Sequence, residues 1–234
     1  EKDSYYRFNV RREPLRNPSE IIRFLPSTKQ MLDEGRIEDV IHYSQLFNSM
    51  ALKFWIEHFR SLKGVCAGSL YWKFNDPLAD CPDVWMYPSH MCAVDMYLRP
   101  KMTYYYTRRA YDDVLVMLEE ESGGWQAVVC NETDRPIVGT LRIEHRTFHG
   151  DLLWSREQSV FCGADAAVHL GHVAKDELPV RDPAAEYLRV ILTADGQTFD
   201  NRYFFLDVNE LHRLVLEPAG LRIVQTARQG DRLQ

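Results

Sequence analysis

The chain has 234 residues, 45% of them hydrophobic and 26% charged, a balance that fits one or two globular domains and argues against disorder. A net charge of −6 and a pI near 5.8 give no basic footprint for nucleic acid. No apolar run is long enough to cross a bilayer as a helix. The five cysteines, Cys66, Cys81, Cys92, Cys130 and Cys162, form no C-x-x-C pair, so neither a zinc ribbon nor a thioredoxin-type site is signalled, and their odd number speaks against a full disulfide framework. Starting at Glu1 with no apolar leader, the chain reads as a mature or excised piece, which leaves its compartment open.

The first regime of periodicity is helical. "PSEIIRFLPSTKQMLDEG" offers Ser19 as an N-cap, a carboxylate in the first turn, and apolar Ile21, Ile22, Phe24 and Leu25. "HYSQLFNSMALKFWIEHFRSLK" is the clearest helix. Its Tyr43, Leu46, Phe47, Met50, Phe54, His58 and Leu62 recur three and four residues apart, which predicts that they share the packed face. Gly64 is placed to end that helix as its C′ residue. A near-continuous apolar strand is expected from Val65, as in the helix-to-strand step of a parallel α/β protein. It ends in "YWKFND", where Tyr71, Trp72, Lys73, Asn75 and Asp76 crowd together. "RPKMTYYYTRRAYDD" predicts a short linking helix after Pro100.

Beyond residue 112 the period changes to two. "VLVMLEE" and "WQAVVCNE" flank Gly123-Gly124, and "GTLRIEHRTF" alternates Leu141, Ile143 and His145 against Arg142, Glu144 and Arg146. Asp195-Gly196 is the strongest hairpin signal in the chain. Strands at this spacing predict an antiparallel sandwich of roughly 100 residues. The tail from Leu214 begins another strand pair. One helix–strand unit cannot bury both faces of a parallel strand, so the chain reads as a piece of a larger α/β domain followed by a complete β domain.

These segments carry a resemblance. "GSLYWKFND", the following Trp85, "DMYLRPKMTYYYTRRAYDDVLV", the upstream "PSEIIRFLP" and the late "NRYFFLDVNEL" resemble the end of the catalytic barrel in glycoside hydrolase family 2, on the β-mannosidase branch. The resemblance implies an α/β plus all-β fold. Residues 1–109 would be the C-terminal portion of a (β/α)8 TIM barrel with a linking helix, and 110–207 an antiparallel immunoglobulin-like β-sandwich. Residues 208–234 would be C-terminal strands or the start of a further β domain. In such a barrel, function sits at the C-terminal ends of the strands, and "YWKFND" would end the eighth.

The resemblance makes Trp72 a wall of the sugar subsite, with Asn75 and Asp76 orienting the loop or contacting sugar and Trp85 closing the site. An indole stacks on a sugar's C–H face, while an amide and a carboxylate hydrogen-bond its hydroxyls. The competing reading packs Trp72 in the core and leaves Asn75-Asp76 to start a turn. The catalytic residues are not identified. A retaining glycosidase needs two carboxyl groups about 5–5.5 Å apart, and the family's acid/base Glu lies on a strand upstream of this chain. Its nucleophile, usually within Ser-Glu-x-Gly, has no match here. Glu13 stands in the right neighbourhood in the wrong context, so the nucleophile is upstream, absent from the chain, lost, or Glu13.

The expected function is therefore that of the C-terminal part of a retaining exo-glycosidase acting on terminal β-linked sugars, β-mannosides first. Metal and organic cofactors are not expected. Its expected partners are a carbohydrate substrate and the remainder of its own barrel, without nucleic acid or membrane. The alternatives are an exo-β-glucosaminidase of the same family, whose D-Y-x-L-R-P run resembles Asp95 to Pro100, or a non-catalytic carbohydrate-binding or scaffold module. Without the acid/base, the fragment alone is expected to be inactive. Among weaker motifs, His145-x3-His149 and His169-x2-His172 read as polar surface histidines. Glu119-Glu120-Glu121 reads as a solvated strand end, and Asn131-Glu132-Thr133 fits a glycosylation sequon. Tyr104-Tyr105-Tyr106 reads as linker packing.

Overall fold

The computed structural model describes residues 34–75, 92–95, 97–206, 211, 228–229 and 232–233. The helix expected from Ser19, together with Glu13, Asp76, Cys81 and Trp85, falls outside them apart from that helix's last two residues. Among the described residues two helices precede the sheets: α1 (Ile37–Ser61) and α2 (Met102–Ala110). Seven strands follow: β1 (Val114–Glu121), β2 (Gly124–Asn131), β3 (Ile137–Thr147), β4 (Leu152–Cys162), β5 (Ala166–Ala174), β6 (Glu186–Ala194) and β7 (Gln197–Phe204). A two-residue pair, β8 (Arg228–Gln229) with β9 (Arg232–Leu233), lies in the tail where another strand pair was expected.

All the ladders of β1 to β7 are antiparallel, in sheets ordered β1-β2-β5 and β4-β3-β6-β7. The inward rows follow the period of two. Val116, Leu118, Ala127 and Val129 of one sheet meet Leu141, Ile143, Leu188, Val190 and Leu192 of the other in a single core. Asp195 and Gly196 join β6 to β7 with φ of 50° and 73°, the doubly positive φ that a two-residue type I′ turn requires. At the β1–β2 turn Gly123 takes φ 100°. Gly124 lies in the ladder, where a Cβ would strike the Val173 carbonyl and the His172 ring.

The three-stranded sheet is buried on both faces. Leu115, Met117, Val128 and Cys130 form a second cluster on its outer side, and α1 covers it. There the Cys130 thiol donates to the Arg60 carbonyl (3.3 Å) and His169 Nε2 to the Ser61 carbonyl (3.1 Å). Removal from water pushes the Cys130 thiol up to about 12. The domain is thus three layers, helix on sheet on sheet, rather than the two of a bare sandwich.

Several expectations change. Of the expected row of helix α1, Tyr43, Leu46, Phe47 and Met50 are half-buried while Phe54, His58 and Leu62 are exposed; the buried residues are Ser49, Leu52, Ile56 and Arg60, flanked by Asn48, Glu57 and Ser61. The inner face is small and polar because it must meet α2 closely and satisfy polar groups of the sheet. Ser49 Oγ lies 3.4 Å from Thr103 Oγ1, Arg60 Nη1 donates to the Ala110 carbonyl, and Leu52, Ile56 and Ala110 fill the gap. Helix α1 ends at Ser61 with Leu62 as C-cap, and Gly64 (φ 95°) belongs to the turn beyond it.

The strand expected from Val65 forms no ladder. Only isolated parallel bridges occur, Lys63 with Cys66 and Asn75 with Val94. Its apolar side chains are open, Val65 at 91% and Leu70 at 103% exposure. A parallel strand needs neighbours on both edges, and no barrel assembles among the described residues.

His145 is no surface residue. It is fully buried in the Leu141–Ile143 row, with Nε2 2.8 Å from Glu186 Oε2, so strand alternation decided its place. His149, His169 and His172 are exposed, as expected. Outside that row Glu144 is buried beneath Arg142 and Arg146, and the hydrogen bond from Arg146 holds its carboxyl below the ordinary range. Asn131 is also buried. Its amide donates to the Arg135 and Gly163 carbonyls and accepts from Thr133, so the folded sequon offers no free amide to a sugar. Glu119 is not simply solvated, since it accepts from Ser61 Oγ at 2.6 Å and pairs with His58 at 3.1 Å.

Candidate functional site

The segment that carries the sugar-site residues is held at few points. Tyr71 packs on Leu52, Ile56 and Ala110, and its neighbour Ser69 shares a 2.9 Å hydrogen bond with the Tyr111 hydroxyl. Ahead of Asn75, the Phe74 carbonyl accepts from Ala93 N and Val94 N at 2.9 and 3.0 Å. The buried Cys92-Ala93-Val94 stretch then leads into a tight turn. Asp95 Oδ1 accepts from Tyr97 N and Arg99 N, Oδ2 accepts from Arg99 Nε at 2.6 Å, and Leu98 takes φ 62°. Lys101 N returns to the Ala93 carbonyl (2.9 Å), and α2 begins. The "DMYLRPK" run is therefore the buckle that ties the 72–75 end to α2.

Two expected site residues can be placed on this frame. Trp72 is 83% exposed and Asn75 is exposed beside it, with Phe74 at 58%. Trp72 is not a core residue of this chain. Its open indole face and the nearby Asn75 amide suit stacking and hydroxyl recognition. Asp76 and Trp85 lie outside the described residues, so the four are not brought together as a set.

What sequence reasoning missed is a polar clamp between α1 and β7. Glu57, 6% exposed, accepts from Asn201 Nδ2 on Oε1 (2.7 Å). On Oε2 it accepts from the Tyr203 hydroxyl and from Lys53 Nζ, both at 2.9 Å. Asn201 also donates to the Val116 carbonyl (3.2 Å), and Lys53 lies over the Tyr203 ring (4.1 Å). Burial and the adjacent Glu57 carboxylate push the Tyr203 phenol well above its ordinary value, which keeps it a donor. The signal was present: a carboxylate amid an apolar helical stretch, and Asn and Tyr two apart on one face of a strand. Asn201 and Tyr203 fall within the "NRYFF" run that carries part of the resemblance, and the clamp gives those two residues a physical task.

Comparison with known proteins bears first on the β domain. Residues 123–208 match the family described as the mannosidase Ig/CBM-like domain. The β-D-mannosidase of Dictyoglomus thermophilum is 28% identical, with a TM-score of 0.64 over 74% of this chain and 20% of its own. The exo-chitosanase CsxA of Amycolatopsis orientalis, also described as an exo-β-D-glucosaminidase, shares the fold at 18% identity, with a TM-score of 0.59 over 71% of this chain and 19% of its own. The chain thus spans about a fifth of the length of these solved structures. No curated protein matches it.

Proposed function

From the relation of this chain to glycoside hydrolase family 2, on its β-mannosidase side, we propose that it is the C-terminal part of a retaining exo-glycosidase that hydrolyses terminal β-mannosides. The observation that carries this reading is the extent of the Dictyoglomus match. It covers 74% of the chain, about twice the share taken up by residues 123–208. The likeness therefore takes in residues outside that matched domain. In the parent, residues 1–109 complete the barrel, and Trp72 forms a wall of the glycone subsite. Asn75 and Asp76 contact sugar or orient the loop, and Trp85 closes it. The paired carboxylates come from upstream strands, so this portion alone is inactive.

The exposed apolar groups of α1 and of residues 65–74 support the same reading. Phe54, Trp55, Val65 and Leu70 face outward where the other barrel elements would lie. The test is an assay of the parent extended upstream, with aryl β-mannoside and aryl β-glucosaminide as substrates and the configuration of the released sugar followed by NMR. Release of β-mannose with retention is expected. Preference for the glucosaminide would move the substrate to the exo-β-glucosaminidase class. No turnover of either, with no upstream Asn-Glu pair, would make the protein a non-catalytic module.

A further inference from the structure

A second site is built where the helices meet the sandwich. A cleft of about 400 Å3 opens among the end of α1, the 63–69 turn, Tyr111 after α2, Glu132 after β2 and Asp165 in the β4–β5 turn. Its size falls in the ordinary range for small-ligand pockets, and such sites favour junctions of this kind. It lies at the Lys63–Ser69 end of the 65–75 segment, away from the end that carries Trp72 and Asn75, so it is a different place from the glycone subsite.

The cleft's charges cancel. Arg60 Nε donates to Glu132 Oε1 at 3.1 Å, and Lys63 Nζ lies 2.7 Å from Asp165 Oδ1 and 3.9 Å from Glu132 Oε1. Two cations against two carboxylates leave no net field to hold an ion. Each pairing still leaves carboxylate lone pairs and ammonium protons free to meet hydroxyl groups. Arg60 is 7% exposed, and its Nη2 has no hydrogen-bond partner among the described residues. Phe59 and Tyr111, 41% and 38% exposed, add ring surface beside these polar groups, and the Tyr111 hydroxyl is fixed by Ser69.

Neutral overall, rich in both donors and acceptors and flanked by two rings, this lining matches one ligand chemistry. We propose that the cleft binds a neutral sugar residue. Its C–H face lies against Phe59 or Tyr111, and its hydroxyls take the free positions of Lys63, Asp165 and Glu132. An anion would meet two carboxylates there, and a purely apolar ligand would leave four charges unsolvated.

The test is calorimetric titration of the full 234-residue chain with β-1,4-mannobiose and with cellobiose. Binding of at least one disaccharide is expected. In the double variant Lys63→Ala/Asp165→Gly the Kd should rise about tenfold or more, the loss of one or two hydrogen bonds to charged groups. Gly suits the φ of 50° at residue 165, the Asp165 side chain is open and that of Lys63 half-buried, and the melting temperature of the variant is read beside its Kd. The proposal fails if neither sugar binds, if the double variant binds as well as the original, or if inorganic phosphate displaces the sugar. Because hydrolysis is tested on the parent and this binding on the present chain, either reading can fall while the other stands.

Discussion

Residues 114–204 and residues 63–75 use the same material to different ends. Both contain apolar strand sequence. In the first, every strand finds a partner within the chain, and the core rows of both sheets are closed to solvent. In the second, "VCAGSLYWKF" finds none: Leu70 is fully open and Trp72 nearly so, and two bridges and the Tyr71 anchor hold the segment. Strand propensity is a capacity to pair and pack rather than a conformation in itself. The contrast is one of pairing: Val65, Leu70 and Trp72 are left open to solvent, while the core rows of residues 114–204 close against one another. Helix α1 stands between the two regimes, its inner face packed on the sandwich and Phe54, Trp55 and Phe59 of its outer face open.

The largest way to break this contrast is to cut the chain at the boundary. A 1–105 polypeptide should show no cooperative thermal transition, because it loses the sheet against which α1 packs and gains no strand neighbours. A 110–207 polypeptide should keep a β-type far-ultraviolet spectrum, since its inner core is complete without α1. It should also self-associate, because Leu115, Met117, Val128 and Cys130 lose their cover, about 1.5–3 kcal/mol for each large side chain exposed. Sedimentation and dye binding read the second outcome, and calorimetry reads the first. A cooperative 1–105 piece, or a strictly monomeric 110–207 piece as stable as the whole, would show that the boundary is not where the dependence lies.

A smaller effect probes the joint itself. Glu57→Ala should cost about 3–5 kcal/mol, the usual loss when one member of a buried charged network is removed. It strands the Asn201 amide, the Tyr203 hydroxyl and the Lys53 ammonium at once. The urea midpoint of the whole chain measures it. Repeating Glu57→Ala in a Tyr203→Phe background should cost less than in the original, because the two groups share one network. Full additivity would mean that the clamp seen in the structure carries no coupling between helix and sheet.

Much of this organisation was legible in the residues, and the failures have physical causes. Alternation marked β3, the apolar runs on either side of Gly123-Gly124 marked β1 and β2, and Asp195-Gly196 marked the β6–β7 hairpin, because inward rows and positive-φ turns leave local signatures. Strands β4 and β5 left weaker ones. "WSREQS" within β4 is polar at an outer strand of its sheet, and β5 mixes Ala, Gly171 and two histidines. The inner face of α1 was misread because Phe54 and Leu62 outweigh Ser49 and Glu57 in any hydrophobic count. That count presumes water on the polar side, where the structure has a second protein surface. At the candidate site, the resemblance singled out Trp72, Asn75, Asp76 and Trp85; the first two are exposed, and the other two lie outside the described residues. The Glu57 clamp and the neutral cleft depend on residues far apart in sequence, so no local pattern announces them.

The smallest expected effect on stability is the most telling for function. Trp72 at 83% exposure leaves no cavity when truncated, so Trp72→Ala in the present chain should shift folding free energy by less than about 0.5 kcal/mol, as at other open surface positions. A core indole would cost roughly 3–5 kcal/mol instead. In the catalytic parent the same substitution should lower kcat/KM by an amount equivalent to about 2–4 kcal/mol of transition-state binding, the range for a buried aromatic anchor that loses its stacking partner. The two measurements belong on one substitution: the urea midpoint of the short chain, and turnover of an aryl β-mannoside by the parent. An unmoved midpoint with a collapsed kcat/KM places the indole against substrate. A fallen midpoint in the short chain would return Trp72 to a packing role. If both stay unmoved, the open end of residues 72–75 loses its claim to the sugar, and the contrast between the two regions reduces to a matter of folding.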